Sequence, residues 1–573
     1  MFSDTDTDAP PADPDTATPS STGRRRWWIR IAVGLLIVAV GIVVEARTSW
    51  VQSAVLSRLA DQMTYTVETG PTPNLAVPAH GPYNERLGYT RLPGMVDALT
   101  ARGFGVDAQA RPSGLFRTAL DLGLFPIYPQ KSQAGLRLTD RNGADLFRAR
   151  YPEHAYTSAD SIPDRVWQAL LYIENRELMD TDRPYKNPAI EWDRFLSALL
   201  QRLFQGEGPG GSTLATQLAK VRHSPDGLTR SGAEKIRQMI SASLLAYQDG
   251  PRTVEMRRKI VRDYLNSLPL AAAPGHGEVN GLGDGLRVWF GADVDRVNRH
   301  LAADTTALEA QGLAYRQVLS LLLSTRSPTR YLAQPDGRAA LHDLTDQHLR
   351  LLARDGVISS DLRDAALRAA ATIRGSAPAS SPPPFVDRKA ASAIRTDLLA
   401  LLDVPSLPAL DRYDLSARTT FDSDVQRQVT DVLQRLHEPD YLRQQGLIGD
   451  RLLASGDPSA VTYSVVLYER DSLANKLRVQ ADNFPGPFDV NRGSKLELGS
   501  TAKLRTLITY LELVEEAYEE HRGRPATDLR ILPLADTDAI TRWVVDQLLR
   551  TPDLSRSELL RAAMERTYSA NPN

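Results

Sequence analysis

DRVWQALLYIEN, Asp164 to Asn175, opens the stretch of chain on which the fold turns. From Ser161 to about Ala371 apolar side chains recur at spacings of three and four, with few alternating β-branched runs, so this block reads as dominated by helices. The first helix is expected to open at Asp160 or Ser161, with Pro163 in its first turn. Glu174 falls near its end. Leu171, Leu170 and Trp167 lie three, four and seven positions back, so the carboxylate emerges from the apolar face. A carboxylate held against apolar groups is poorly hydrated, which suits it to general acid or base work. On these residues alone a plain surface glutamate at a helix end remains the commoner alternative.

The second informative stretch is GPGGSTLATQLAK, Gly208 to Lys220, where a glycine-rich turn runs into a helix capped by Ser212 or Thr213. Thr213, Gln217 and Lys220 fall at i, i+4 and i+7 on one polar side, and Leu214, Leu218 and Val221 on the other. Free amides at a helix start, with a lysine one or two turns later, suit phosphate oxygens. An ordinary amphipathic helix after a loop would show the same faces.

Taken in order, IENREL (Ile173–Leu178), GGSTLATQLAK (Gly210–Lys220), EKIRQM (Glu234–Met239), IVRDYLNSLPLA (Ile260–Ala271) and VWFGAD (Val288–Asp293) resemble the five motifs of the family 51 peptidoglycan glycosyltransferases. LSLLLSTRSPTRY (Leu319–Tyr331) and HLRLLARDGVIS (His348–Ser359) resemble the tail of that domain, so the resemblance covers roughly Ile162 to Ala371. It implies a mainly α, lysozyme-like domain beside the membrane that takes lipid II and a growing glycan strand as substrates and releases undecaprenyl pyrophosphate. By the same resemblance Glu174 matches the base that deprotonates the acceptor sugar, and Lys220 matches a lysine near the diphosphate. Ser212, Thr213 and Gln217 match the polar residues beside it, and Asn266 matches an asparagine whose part is structural. A base on the acceptor and cations on the leaving pyrophosphate are what such a displacement needs.

The third motif departs from the family's Arg-Lys-x-x-Glu: the aligned residues are Glu234, Lys235 and Gln238. Glu234 lies one helical turn before Gln238, so it could supply the missing carboxylate, with Arg237 replacing the missing guanidinium. A carboxylate there could hold a divalent cation such as Mg²⁺, which the sequence permits without requiring.

Working outward, residues 1–22 are rich in Asp, Pro, Ser and Thr and read as a disordered cytoplasmic tail. Arg24, Arg25 and Arg26 then precede WWIRIAVGLLIVAVGIVV, Trp27 to Val44, a run close to bilayer-spanning length within an anchor taken as 23–47. The arginines mark the cytoplasmic side, so the bulk of the chain is expected in the periplasm, held by one pass through the inner membrane. A cleaved signal peptide is the alternative, but the run is long for one and no small-residue cleavage site follows. Residues 48–155 carry no interpretable motif.

The 573 residues, 42% hydrophobic and 24% charged, suffice for two or more domains. A net charge of −2 gives no reason to expect nucleic acid as a partner. Without cysteine there are no disulfides, thiolate nucleophiles or Cys-ligated metal, and the nine histidines show no ligand-like pairing.

GSAPASSPPPF, Gly375 to Phe385, reads as the start of a linker (375–411) between the glycosyltransferase-like block (156–374) and a second unit (412–573) of α/β character. There VTYSVVLYE (Val461–Glu469) and KLRVQAD (Lys476–Asp482) look like a hairpin, followed by a long helix from Ser500. ARTTFDSDVQRQV (Ala417–Val429) resembles the start of a class A penicillin-binding transpeptidase domain, and LGSTAK follows where its nucleophile belongs. Ser500 and Lys503, one turn apart, are the nucleophile and amine that this resemblance implies. Ser569 and Asn571 offer a second motif, but no Lys-Thr-Gly or Lys-Ser-Gly occurs, so the transpeptidase domain reads as incomplete and inactive. The expected whole is a multidomain, single-pass glycosyltransferase. A noncatalytic lipid II-binding scaffold among other wall-synthesis proteins, or a lysozyme-like glycan hydrolase, are the competing readings.

Overall fold

The computed structural model describes residues 21–73, 75–192, 212–302, 307–375, 385–448, 457–486, 488–495, 497 and 499–567. They fall into two compact units, Met1–Pro487 and Phe488–Asn573. Ser569 and Asn571 lie outside the described residues, as do the glycines at 208–211.

The first unit begins with a helix over Ser21–Thr48. Its segment Trp27–Thr48 is long and apolar enough to cross a membrane, with a mean hydropathy of 2.4 and none of it buried against the protein. At Ser49 the backbone turns through a left-handed conformation (φ 55°) into a second helix, Trp50–Gln62. Glu45 reaches across this corner: its carboxylate accepts from the backbone N–H of Val51 at 2.8 Å and of Gln52 at 2.9 Å, capping the new helix from the old one. Ser49 itself is buried, and its Oγ accepts from the N–H of Asn187 at 3.1 Å. Asn187 also donates to Gln52 and to Ser243.

The three-and-four spacing between Ser161 and Ala371 does give helices. They include Asp164–Glu174, Leu214–His223, Gly232–Ala246, Val254–Ser267, Leu308–Ser324, Pro335–Arg354 and Ser360–Arg368. Leu308–Ser324 is the central one, buried on nearly every side from Gln311 onward. Gly312 lets the helix Ser360–Arg368 press against it, since a Cβ at 312 would sit 2.6 Å from the carbonyl carbon of Ala365. Around this axis one apolar core joins Val166, Leu170, Leu214, Val261, Leu265, Trp289 and Leu349. The helix expected at Asp160 or Ser161 starts instead at Asp164, after a short 3₁₀ turn over Ala159–Ser161. Pro163 is the reason: it holds Ile162 in an extended conformation (φ −89°, ψ 121°).

Residues 48–155, which carry no motif, contribute β1 (Tyr65–Thr69) paired antiparallel with β2 (Ala108–Pro112), and β3 (Leu136–Thr139) paired with β4 (Asp145–Arg148). A hairpin of β5 (Pro269–Ala273) and β6 (Gly277–Asn280) begins in the last residues of the fourth motif. The strand β7 (Leu415–Arg418) then returns to lie parallel to β3, with Leu136 opposite Leu415. Leu136 and Leu138 are fully buried here with Ala390, Ile394, Leu402 and Leu410. Much of the stretch read as a linker is therefore packed structure, with helices over Phe385–Leu401 and Leu407–Arg412. Ala390, Ile394, Leu398 and Leu402 recur every four residues, and that stripe joins the same apolar cluster as Leu136 and Leu138.

The predicted hairpin is present as β8 (Ser464–Arg470) and β9 (Asn475–Asp482). Every residue of β8 is exposed, whereas β9 buries Val479 and Ala481 against the helix Ser423–Arg435. Gln426 on that helix clasps β9 at Gln480, donating to its carbonyl and accepting from its N–H, both at 3.0 Å. The α/β unit expected over 412–573 is thus divided: the hairpin belongs to the first unit, and the described part of the second is helical. In that second unit Thr501–His521, Ala539–Arg550 and Arg556–Glu565 close on Val514, Tyr518, Val544, Leu548 and Leu559.

Candidate active site

Thr213 sets the site up. It caps the helix Leu214–His223, its Oγ1 accepting from Thr216 N at 3.3 Å while its own N–H donates to Thr216 Oγ1 at 2.9 Å. Its hydroxyl also donates to the carbonyl of Ala189 at 3.2 Å, and the residue is buried. This corrects the expectation of a polar face shared by Thr213, Gln217 and Lys220. Thr213 faces inward as a cap, and only Gln217 and Lys220 keep partial exposure.

One turn beyond the cap, Gln217 Nε2 donates to Glu174 Oε2 at 2.8 Å. Glu174 is the last residue of its helix and is partly buried, so its carboxylate is held at the lip of the core. The hydroxyl of Tyr264 donates to Gln217 Oε1 at 3.2 Å. Burial, with the negative Glu174 nearby, pushes the Tyr264 hydroxyl well above its ordinary pKa, so it remains a donor. Tyr264 was not singled out from the sequence, although it stands in the fourth motif four residues after Ile260 on the same buried face. Asn266, two residues on, pairs with the backbone of Tyr156 in both directions (2.8 and 2.9 Å) and has a structural place.

Lys235 Nζ donates to Ser212 Oγ at 2.8 Å. Burial, helped by the nearby charge of Lys220, lowers the Lys235 ammonium below its ordinary pKa. Two cations held close enough to repel one another form a place where an anion is favoured. Ser212, Lys220 and Lys235 are thus brought together, and Gln217, which holds Glu174, stands three residues before Lys220 on the same helix.

Glu234 and Gln238 are drawn elsewhere. Glu234 is buried at the start of its helix, where its N–H donates to Ser231 Oγ at 3.1 Å and its Oε2 accepts from Arg230 N at 2.9 Å. Gln238, fully buried, donates to Ser224 Oγ at 3.0 Å and Thr229 Oγ1 at 2.9 Å, and so fastens the loop between the two helices. Among the described residues no hydrogen bond or ion pair joins either side chain to Glu174, Lys220 or Lys235. Arg237 is exposed and approaches Gly123. Among the described residues no group of three or more His, Asp or Glu side chains is placed to hold a metal ion.

Glu174 lines a cavity of about 290 Å³ whose wall also includes Ala46 and Arg47 from the last turn of the apolar helix. A larger cavity of about 900 Å³, between Pro73, residues 75–80, Leu124, Phe125, His223 and Glu234, is not lined by Glu174, Gln217 or either lysine. The smaller cavity is lined by Glu174, although neither Gln217 nor either lysine lines it. Ser500 and Lys503 lie in the second unit, both exposed at the start of the helix Thr501–His521.

Residues 142–349 match a family described as Transglycosylase. Among curated proteins none matches the chain. The matched segment holds Glu174, Ser212, Gln217, Lys220, Lys235 and Tyr264, together with most of the helical core.

Proposed function

We propose, from the match of residues 142–349 to the transglycosylase family, that the protein is a membrane-anchored peptidoglycan glycosyltransferase. It polymerises lipid II into glycan strands and releases undecaprenyl pyrophosphate. The observation that carries this reading is the place of Glu174: a carboxylate oriented by Gln217, in a cavity walled in part by the end of a bilayer-length apolar helix. Glu174 takes the proton from the acceptor sugar hydroxyl as that oxygen attacks the donor's anomeric carbon. Lys220 and Lys235, with the Ser212 hydroxyl, meet the charge gathering on the departing diphosphate. The apolar helix spans the cytoplasmic membrane with the arginines at 24–26 inside, which puts the site on the periplasmic surface.

Growth of glycan polymer from purified lipid II by the full chain tests the proposal. A lipid II-binding scaffold would yield no polymer, and a hydrolase would shorten existing strands. The reading of residues 412–573 as an incomplete transpeptidase, with Ser500 and Lys503 at the nucleophile position, rests on sequence resemblance, and we assign no transpeptidation to it.

A further inference from the structure

The cavity that holds Glu174 is partly built by the membrane anchor. Arg47, in the last turn of the apolar helix, lines the same space of about 290 Å³ as Glu174, 127 residues later in the chain. This adjacency is fixed by hydrogen bonds on both sides of Arg47. Glu45 caps the following helix through Val51 and Gln52, and Ser49 accepts from Asn187.

The other cations lining the cavity are already engaged. Arg176 lies 3.9 Å over the Tyr172 ring and 3.6 Å from Asp355, Arg183 is 3.3 Å from Asp180, and Lys186 donates to Glu177 at 2.7 Å. Arg47 is exposed, and among the described residues its side chain makes no hydrogen bond or ion pair.

The apolar run from Trp27 to Val44 is 18 residues, about 27 Å of helix and close to the thickness of a bilayer's hydrocarbon core. Arg47 then falls about 4–5 Å beyond it, at the level of the lipid phosphates. Trp50, one turn on and largely exposed, is a side chain suited to that same interface. A guanidinium at this level matches phosphate oxygens two at a time.

We propose that Arg47 binds the diphosphate of the lipid-linked acceptor, so that the last turn of the anchor is part of the substrate site. It fixes the lipid at its phosphates while the attached sugar presents its hydroxyl to Glu174. This inference rests on the glycosyltransferase reading and adds a binding residue that lies outside the matched family segment.

The test uses the full chain in nanodiscs of phosphatidylethanolamine and phosphatidylglycerol. Fluorescent lipid II is titrated against a Glu174→Gln protein, which binds without turnover, with Arg47 intact or changed to Ala or Lys. Arg47→Ala should weaken binding about tenfold, as expected for one lost charge-assisted contact, and Arg47→Lys should keep most of it. With Glu174 restored, Arg47→Ala should raise KM about tenfold and leave kcat within about twofold. Binding and KM unchanged in Arg47→Ala, in a protein whose parent binds and polymerises lipid II, would overturn the assignment. Equal losses in the Ala and Lys variants would overturn it as a charge contact. A parent that neither binds nor polymerises lipid II would instead overturn the glycosyltransferase reading, and this inference with it.

Discussion

Gln217 donates to Glu174 Oε2 at 2.8 Å and, through its other amide atom, accepts from the Tyr264 hydroxyl at 3.2 Å. The carboxylate, which only accepts, selects the Nε2 end, and the Tyr264 hydroxyl, bonded to Oε1, then holds the amide in that orientation from its other side. Glu174 is therefore aimed by a side chain whose own orientation is fixed from behind.

Two grades of loss follow from that chain. Glu174→Gln should lower polymerisation at least a hundredfold, the usual weight of a positioned general base, while the melting temperature stays close to the parent's. Gln217→Ala should lower kcat about tenfold with little change in KM, since it disturbs aim rather than chemistry. Tyr264→Phe should fall between Gln217→Ala and the parent. A Glu174→Gln protein that polymerises lipid II at near the parent rate would remove Glu174 from the mechanism.

The lysine pair should behave as a binding device. Lys220→Ala should reduce kcat/KM on lipid II about a hundredfold, a loss of roughly 3 kcal/mol in transition-state binding. Folding should be little affected, because the repulsion between Lys220 and Lys235 disappears with it. Matched losses of thermal stability and activity would mark Lys220 as structural.

The departure in the third motif now carries a different expectation from the one the sequence suggested. Glu234→Ala removes a bond to Arg230 N and should cost about 1 kcal/mol of stability, the worth of a helix cap, with activity and its magnesium dependence within about twofold of the parent. Gln238→Glu restores the family's residue but buries a charge among Ser224 and Thr229, so it should destabilise by about 2 kcal/mol or more without improving turnover. Chemical denaturation and a polymerisation assay across a magnesium titration read both. A strong activity loss in Glu234→Ala at unchanged stability would reinstate it as the missing carboxylate.

His223 makes the fold sensitive to acid. Its ring is buried between the amides of Asn84 (2.9 Å) and Gln130 (2.7 Å), and burial, then the adjacent Arg222, pulls its pKa from 6.5 to about 3. The folded state keeps the ring neutral where the unfolded chain would protonate it. The contribution is therefore fully present above pH 6.5 and is lost as pH falls from 6.5 toward 3. Each pH unit in that window costs about 1.4 kcal/mol. Between pH 6.5 and 4.5 the parent should lose roughly 2–3 kcal/mol more stability than His223→Gln; parallel pH profiles for the two would refute the assignment.

Local pattern carried the helical core, the helix-end position of Glu174 and the lysine helix. In each case the signal lay within a few turns of the residue concerned. What escaped the sequence depends on chain returning from far away. β3 acquires its partner β7 only when residues 136–139 and 415–418 meet, so neither looks like more than a short apolar run. The helix Phe385–Leu401 was hidden because the Pro- and Ser-rich run before it drew the reading toward a linker, although its four-residue apolar stripe was there to see. Thr213 and Glu234 misled for a shared reason: Ser, Thr and Glu near a helix start satisfy the backbone as readily as they greet a ligand. Arg47 could not have been found by pattern at all, since its neighbourhood is a tertiary fact.

The corner at Ser49, made of a buried left-handed residue, a capping carboxylate and a bonded asparagine, is also a stiff elbow. A stiff elbow transmits angle. If the helix before it spans the bilayer as proposed, any tilt it adopts to match the local hydrocarbon thickness swings the domain beyond it by the same amount. The thickness of the surrounding lipid then becomes a setting on the enzyme, raising or lowering the mouth of the Glu174 cavity against the layer from which its substrate is drawn.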